Sequence, residues 1–301
     1  MVLLGDVMTD LVARLDGPLV PASDSPARIS SWGGGASANT ASWLAGLGAR
    51  AVLLGRIGGD EAGRAAVEGL RAAGVEVRCA VDPRRATGMV IVLVEPGGER
   101  TMVPDPGANA ALKPGDLPGE AFAAGGHLHV SGYTLLRTGS RAAGLAALER
   151  ARAAGMSVSV DAASVGPLSA VGAARFLAWI DGVDVLFANR DEAAFLAGTD
   201  AGQGADETAA VGLAARCGVA VVKLGAHGAL ACASGGLFER VDAVRLAAGT
   251  PVDTTGAGDA FAAGFLYGRL TGRGLREALR AGCALAAEAV GSVGARPTSA
   301  P

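Results

Sequence analysis

The chain has 301 residues, of which 50% are hydrophobic and 18% are charged, and its formal net charge is −3. A chain of this length and composition can bury a substantial core in one large or two smaller domains, which excludes a mostly disordered protein. The small negative net charge gives no general reason to expect nucleic acid or an anionic membrane as a partner.

Short apolar runs and alanine-rich stretches alternate along the chain, and they predict strands and helices respectively. In chain order, the predicted elements are a strand at Val2–Leu4, a helix at 36–47, a strand at 51–54, a helix at 60–73, a strand at 128–130, a helix at 140–154, a strand at 158–160, a helix at 170–180, a strand at 185–187, a helix at 205–217 and a strand at 219–224. This alternation is typical of βαβ units. It predicts an α/β fold with a doubly wound, mostly parallel sheet covered by helices.

Two stretches interrupt the alternation. Residues 11–32 are rich in Pro, Asp and Ser and read as irregular structure, whereas residues 88–104 read as two strands around the turn Glu95–Glu99. The second stretch is a plausible hairpin. Strands that fit poorly into a doubly wound sheet often form an appendage to it, so we expect these stretches to lie outside the main sheet.

The segment Pro251–Phe265 carries the strongest chemical signal. Gly256 and Gly258 directly precede Asp259, and an apolar run that reads as a helix follows. Glycines at a helix start let backbone amides converge on an anion, and the helix dipole adds to the attraction. An acid at that point suggests a base for a hydroxyl that attacks a bound phosphate. Taken alone, however, the string is more simply a glycine-rich turn whose acid caps a helix.

The longer string favours the chemical interpretation. Asp253–Phe261 (Asp-Thr-Thr-Gly-Ala-Gly-Asp-Ala-Phe) closely resembles the C-terminal signature of the ribokinase-like (PfkB) carbohydrate kinases. The resemblance implies that Asp259 is the catalytic base and that an anion hole for the transferred phosphate is formed by the amides of Gly256, Ala257, Gly258 and Asp259. It also implies one kinase domain over residues 1–301, in which the segments at about 11–32 and 88–104 form a small β-sheet lid over the sugar.

A second string, Ser31–Ser42, contains three consecutive glycines, which let the backbone approach a ligand closely. With the residues up to Gly63, it resembles the N-terminal signature of the same family. The resemblance implies a sugar pocket lined by Gly34, Gly35 and Asn39. The string also loosely fits a dinucleotide-binding pattern, but no clear apolar strand leads into it, which makes that interpretation weak.

Asp10 matches the family's sugar-binding aspartate, and the pattern favours it over Asp6. The chain also departs from its relatives. Ribokinases often carry Asn where this chain has Met8 and Lys where it has Ala36, and the Asp-x-Asn-x-Arg pattern of fructokinase-like members is absent at Asp161–Val165. These departures leave the kinase interpretation intact but leave the identity of the sugar open.

The nucleotide side is predicted from two further strings. Asn189 and Glu192 have the spacing of the family's Asn-x-x-Glu motif, in which the Glu organises a water-ligated Mg²⁺, although a capping box would explain both residues equally well. Lys223, Gly225 and Gly228 resemble the family's nucleotide segment. Lys223 either touches a phosphate as a point charge or extends along the surface into solvent.

The tail Gly291–Ser299 resembles the segment that closes over the adenine and, in many members, helps to bind K⁺. The resemblance assigns Asp253 to that K⁺ site and implies ATP and Mg²⁺ as the other cofactors. A homodimer through the lid is compatible with the family resemblance. The scattered cysteines and the lack of a signal-peptide pattern or a membrane-length apolar run predict a cytoplasmic protein with no membrane partner.

The sequence therefore predicts an ATP-dependent phosphotransferase that moves the γ-phosphate to a primary hydroxyl of a small sugar. The nearest alternative is a nucleoside kinase on the same fold, for which Trp32 and Tyr133 are the candidate platforms for a base. A non-catalytic sugar or nucleotide sensor is a second alternative, which the intact Asp259 and glycine pair disfavour. An NAD-dependent enzyme ranks last.

Overall fold

The computed structural model describes residues 1–97, 99–200, 204–246 and 252–297. Three sequence predictions reach beyond this part of the chain. Gly98 of the predicted turn, Pro251 of the glycine-rich segment and residues 298–299 of the tail lie outside the described residues.

The chain forms fifteen strands and ten α-helices within the described residues. The strands are β1 (Val2–Leu4), β2 (Met8–Leu15), β3 (Ala27–Gly34), β4 (Val52–Leu54), β5 (Arg56–Gly58), β6 (Glu76–Val77), β7 (Ala80–Asp82), β8 (Gly88–Val94), β9 (Arg100–Asp105), β10 (His127–Ser131), β11 (Ser157–Asp161), β12 (Val185–Asn189), β13 (Val219–Lys223), β14 (Ala229–Ala233) and β15 (Phe238–Val241). The helices are α1 (Ala36–Gly46), α2 (Glu61–Ala72), α3 (Gly132–Leu136), α4 (Arg141–Ala153), α5 (Val165–Val171), α6 (Ala173–Trp179), α7 (Arg190–Ala197), α8 (Ala205–Ala214), α9 (Ala257–Leu270) and α10 (Leu275–Val290).

The large sheet has nine strands in the order β15-β14-β13-β12-β11-β10-β1-β4-β6. Its strands are parallel except β14 and β15, which pair antiparallel at one edge. Successive strand residues point to opposite faces. Leu3 and Leu53 accordingly pack with α1, α2 and α9, whereas Leu4 and Leu54 belong to the core beneath α4–α8. The doubly wound, mostly parallel sheet predicted from the alternation is confirmed.

A separate four-stranded sheet has the order β3-β2-β8-β9. The pair β8 and β9 forms the hairpin expected from residues 88–104. The interpretation of 11–32 as irregular was wrong, because its ends belong to β2 and β3, which pair antiparallel. Most of β3 is solvent-exposed, so its sequence lacks the apolar alternation by which a strand is recognised. This small sheet is the expected lid.

The predicted helices agree with the structure apart from 170–180, where Gly172 separates α5 from α6. Gly172 has a φ of 91°, a conformation that ends one helix before the next begins. Within the described residues, no helix is long and apolar enough to cross a membrane.

Candidate active site

The glycine-rich segment forms a turn into the buried helix α9. Gly256 precedes the helix with a φ of 75°, and a Cβ added there would lie 2.6 Å from the Cα of Ala295. Both facts require glycine at this position. The first turn of a helix leaves its amides without partners within the helix, and the dipole makes that end positive. The turn at 256–259, the anion turn, therefore has the chemistry of an anion site.

Asp259 lies in the first turn of α9, where its carboxylate accepts a hydrogen bond of 2.9 Å at Oδ2 from Nδ2 of Asn39. Burial raises the pKa of Asp259 to about 7; the bond from Asn39 and the charge of Lys223 lower it, while Asp161 and Asp10 raise it further. A carboxylate that titrates near neutral pH can accept a proton during a reaction.

The predicted sugar residues come together from three elements. Asp10 lies on β2 of the lid, and its carboxylate is so close to Gly34 that a Cβ at Gly34 would overlap it. Gly35 has a φ of 95° and lies against the carbonyl of Asp6. Burial raises the pKa of Asp10 to about 6. Asp6 is engaged elsewhere, because both of its oxygens accept bonds from Nη1 of Arg137, at 2.8 and 2.6 Å. Asp10 is therefore the better placed of the two acids to meet a ligand.

The predicted nucleotide residues sit at the carboxyl ends of adjacent parallel strands. Asn189 ends β12 and forms a complete capping box with Glu192, which accepts bonds from the backbone and side-chain nitrogens of Asn189 at 2.8 and 2.7 Å. Glu192 is only 2% exposed. Its burial, together with the nearby charge of Asp161, raises its pKa. The capping box is therefore present in the structure. A capping carboxylate does not need to be buried, so the cap does not explain the burial of Glu192.

Lys223 ends β13 and points into the site. Its Nζ donates to Oδ2 of Asp161 at 2.6 Å, and it lies 3.3 Å from where a Cβ on Gly258 would be. Burial lowers the pKa of Lys223, but the carboxylates of Asp161, Glu192 and Asp259 outweigh it, and the net pKa is raised. Lys223 is thus a fixed positive charge beside the anion turn.

The two predicted glycines near Lys223 differ from each other. Gly228 has a φ of 85°, and a Cβ there would overlap the carbonyl of Val241, so packing alone requires glycine. Gly225 has a φ of 58° and open space around its Cα. Only Gly225 therefore offers backbone that a ligand could approach.

The residues near the anion turn fit a hydrated divalent cation. Among the described residues, no cluster of three or more His, Cys, Asp or Glu side chains could hold a metal by itself. Mg²⁺ keeps several waters and takes few protein ligands beside phosphate oxygens. Asp161 and Glu192, two carboxylates around one lysine, are the donor type that such an ion prefers.

Asp253, the residue assigned to K⁺, has a different environment. It is 3% exposed, and its carboxylate accepts bonds from the amides of Thr255 at 2.8 Å and Gly294 at 3.2 Å. It also forms an ion pair of 2.8 Å with Nη2 of Arg100, which belongs to the lid. Burial raises the pKa of Asp253, but these partners outweigh it and hold the pKa below its ordinary value.

A sequence profile of the pfkB family carbohydrate kinases matches residues 1–301. The chain belongs to this family. It is 34% identical to an ATP-dependent ribose-1-phosphate kinase of Halopiger xanaduensis over 97% of this chain and 92% of that protein. An adenosine kinase structure from Sinorhizobium meliloti superposes with a TM-score of 0.87 at 30% identity, covering 98% of this chain and 95% of that one. A fructokinase structure from Vibrio cholerae O395 with fructose, ADP and calcium bound superposes with a TM-score of 0.79 at 28% identity. The match covers 98% of this chain and 94% of that one.

The sequence of this kinase did not reveal all the residues that meet at the site. Arg296, in the C-terminal tail, donates from Nε to Oδ1 of Asn39 at 3.2 Å and from Nη2 to the carbonyl of Gly34 at 2.8 Å. Burial lowers its pKa to about 10, although Asp10 and Asp259 raise it. Arg100 and Asp161 were also missed. The single arginine in a tail of small residues was the one signal that could have pointed to Arg296.

Proposed function

We propose that this kinase transfers the γ-phosphate of ATP to a primary hydroxyl of a small sugar, with Asp259 as the base. One observation carries the proposal: Asp259 lies in the first turn of α9, where the amides have no partners within the helix, and burial raises its pKa to about 7. Because Oδ2 is occupied by Asn39, Oδ1 is the oxygen that accepts the proton.

The step balances without a further reactant. The hydroxyl proton moves to Asp259 as the hydroxyl oxygen forms its bond to the γ-phosphorus, and the bond from that phosphorus to the β–γ bridging oxygen breaks to release ADP. The amides at 256–259 and the charge of Lys223 stabilise negative charge on the transferred group. A bound Mg²⁺, held through water by Glu192 and Asp161, would supply further neutralisation of the phosphates.

The sugar would lie between the lid and α1. Asp10 offers acceptors for two hydroxyls, the backbone at Gly34 and Gly35 allows close approach, and Asn39 links the pocket to the base. Arg296 adds a buried positive charge next to Asp10. The lid excludes water, which would otherwise compete with the sugar for the phosphate.

A nucleoside kinase is the second candidate because of Trp32. This residue is 38% exposed in β3, opposite Asp10 in the sheet register, and its ring packs against Gly294 of the tail. An indole at the edge of the pocket could stack on a base. Tyr133 is less suitable, because its ring is covered by the guanidinium of Arg137 at 5.1 Å.

The deciding experiment is ADP release from Mg·ATP with a panel of ribose, ribose 1-phosphate, fructose, ketodeoxygluconate, adenosine, cytidine and pseudouridine. Turnover with a free or phosphorylated sugar supports the first candidate and names the acceptor. Turnover confined to nucleosides contradicts it, and loss of that turnover in Trp32→Ala would then identify the base platform.

The other sequence predictions are carried forward as part of the proposal. They are a single kinase domain over residues 1–301 with the lid inserted, nucleotide contacts at Asn189, Lys223 and Gly225, a dimer through the lid, and a cytoplasmic location. Size-exclusion chromatography with light scattering tests the dimer.

A further inference from the structure

Arg100 connects two parts of the molecule that are distant in sequence. It is the first residue of β9, the edge strand of the lid, and its side chain is 18% exposed. Its guanidinium pairs with Oδ1 of Asp253 at 2.8 Å and donates from Nη1 to Oγ1 of Thr255 at 2.6 Å and of Thr254 at 3.2 Å. These three partners immediately precede the anion turn at Gly256.

The environment of Asp253 does not fit an additional monovalent cation. Oδ1 of its carboxylate pairs with the guanidinium of Arg100 and accepts a hydrogen bond from the amide of Thr255. Oδ2 accepts a hydrogen bond from the amide of Gly294. The nearly buried carboxylate therefore already has a full positive charge and two N–H donors. A potassium ion placed there would be repelled by the guanidinium at short range, where water screens little.

We propose that the guanidinium of Arg100 occupies the position that the family resemblance assigns to K⁺, and that turnover therefore needs no monovalent cation. Arg100 is a positioning residue, because it acts on the phosphate through the turn. Since its backbone belongs to the lid, the same bonds tie the lid to the anion turn. The inference rests on the proposed role of residues 256–259 in binding phosphate.

The first test measures the unfolding temperature in potassium and in sodium chloride at equal ionic strength, without substrate. Wild type is expected to unfold at the same temperature in both salts. Arg100→Met, which removes the charge but keeps the length, should be stabilised by potassium over sodium by about 2–4 °C, the effect of a ligand that binds only the folded state. Arg28→Met, on β3 at the opposite edge of the lid sheet, is the matched control and should show no difference.

The second test measures turnover of the acceptor that the panel identifies. Arg100→Met should lose about 10- to 100-fold in kcat with little change in the KM for ATP, because the turn is displaced while the nucleotide site is kept. Potassium or methylguanidinium should restore part of the loss, and Arg100→Lys should behave like wild type in both salts.

Three results would overturn the proposal: wild type that is activated or stabilised by potassium over sodium, Arg100→Met with wild-type kcat, or Arg100→Met without a response to potassium. If Arg100→Met does not fold, the proposal is still tested by comparing wild type and Arg100→Lys in potassium and sodium chloride. Failure of the base assignment is recognised separately, because Asp259→Asn would then retain turnover, whereas the potassium–sodium difference in the unfolding temperatures of wild type and Arg100→Met would be as predicted.

Discussion

Asp253 and Asp259 stand six positions apart on the same segment, yet their surroundings are opposite. Asp253 accepts two backbone amides and an arginine, and these partners hold its pKa below the ordinary value. Asp259 accepts one bond, from Asn39, and burial raises its pKa to about 7. A carboxylate with every oxygen engaged is an anchor, whereas one with a free oxygen and a raised pKa can take a proton. The number of donors, supplied by remote segments, decides which role an aspartate has.

The largest expected effect separates these two roles. Asp259→Asn should lower kcat by about 10³-fold or more while calorimetry shows ATP still bound, because the substitution removes only the proton acceptor. Asp253→Asn is the matched comparison and should lose about 10-fold, since it loosens the turn but leaves the base. Equal losses in the two variants would contradict the division into anchor and base.

Gly256 lies between the two aspartates, and its replacement tests whether the turn is rigidly required. Gly256→Ala should lower kcat by about 100-fold, because a Cβ at a φ of 75° and 2.6 Å from Ala295 must displace the turn. The free energy of unfolding in denaturant should fall by about 1–3 kcal/mol. The control is Gly69→Ala, in the exposed interior of α2 with open space around it, which should stabilise by about 0.5–1 kcal/mol.

The pH dependence of kcat/KM tests the raised pKa that distinguishes Asp259 from Asp253. Because the base must be ionised, kcat/KM should fall about tenfold per pH unit below pH 7. Asn39→Ala should move this limb to higher pH, because the bond from Asn39 lowers the pKa of Asp259. A limb near pH 4, the ordinary value for an aspartate, would contradict the raised pKa.

The same raised pKa makes a prediction for stability. A carboxyl whose pKa is raised in the folded state stabilises it fully below the unfolded pKa, and this contribution is lost as the pH rises through about 7. Asp259→Asn has no carboxyl group to ionise at this position, so the variant does not lose stability in this way. The advantage of the variant over wild type should therefore be constant above about pH 7.5, at about 1–3 kcal/mol, and should change across the range from about pH 4 to 7, as measured by chemical denaturation. A constant difference across this range would argue against the titration.

Glu192 provides a third carboxylate and the smallest expected effect. Glu192→Gln keeps a capping box but removes a buried charge, so the Mg²⁺ concentration needed for half-maximal turnover should rise about 3- to 10-fold with little change in stability. Glu277→Gln is the matched control, because Glu277 occupies the same capping position in α10 but is solvent-exposed. An equal shift in both variants would exclude a specific role for Glu192.

The sequence was sufficient for the elements that are buried on both faces. The strand Val2–Leu4 and the helix that begins around Asp259 were predictable because each is a continuous apolar run. The lid strand β3 was not, since most of it is exposed to solvent and its sequence lacks an apolar alternation. Asp10 lies within β2, a second lid strand that was not predicted.

Within the site, residues in glycine-rich strings could be proposed from the sequence, whereas isolated charged partners could not. Arg296 and Asn39 are 257 positions apart, and no local pattern links them. Arg100 looks like an ordinary charge beside a turn, and Asp161 was noticed only as a departure from a family pattern. Such pairs depend on how loops meet after the sheet has formed, which local periodicity does not record.

The ion pair between Lys223 and Asp161 has a practical consequence, because the chain contains just two lysines. Lys113 is exposed to solvent, whereas Lys223 is held beside the anion turn. Reductive methylation with ¹³C-formaldehyde would therefore place labels on two side-chain amines and the N-terminus alone. In an NMR spectrum with so few signals, the resonance of dimethylated Lys223 would report directly on nucleotide binding, with that of Lys113 as an internal reference.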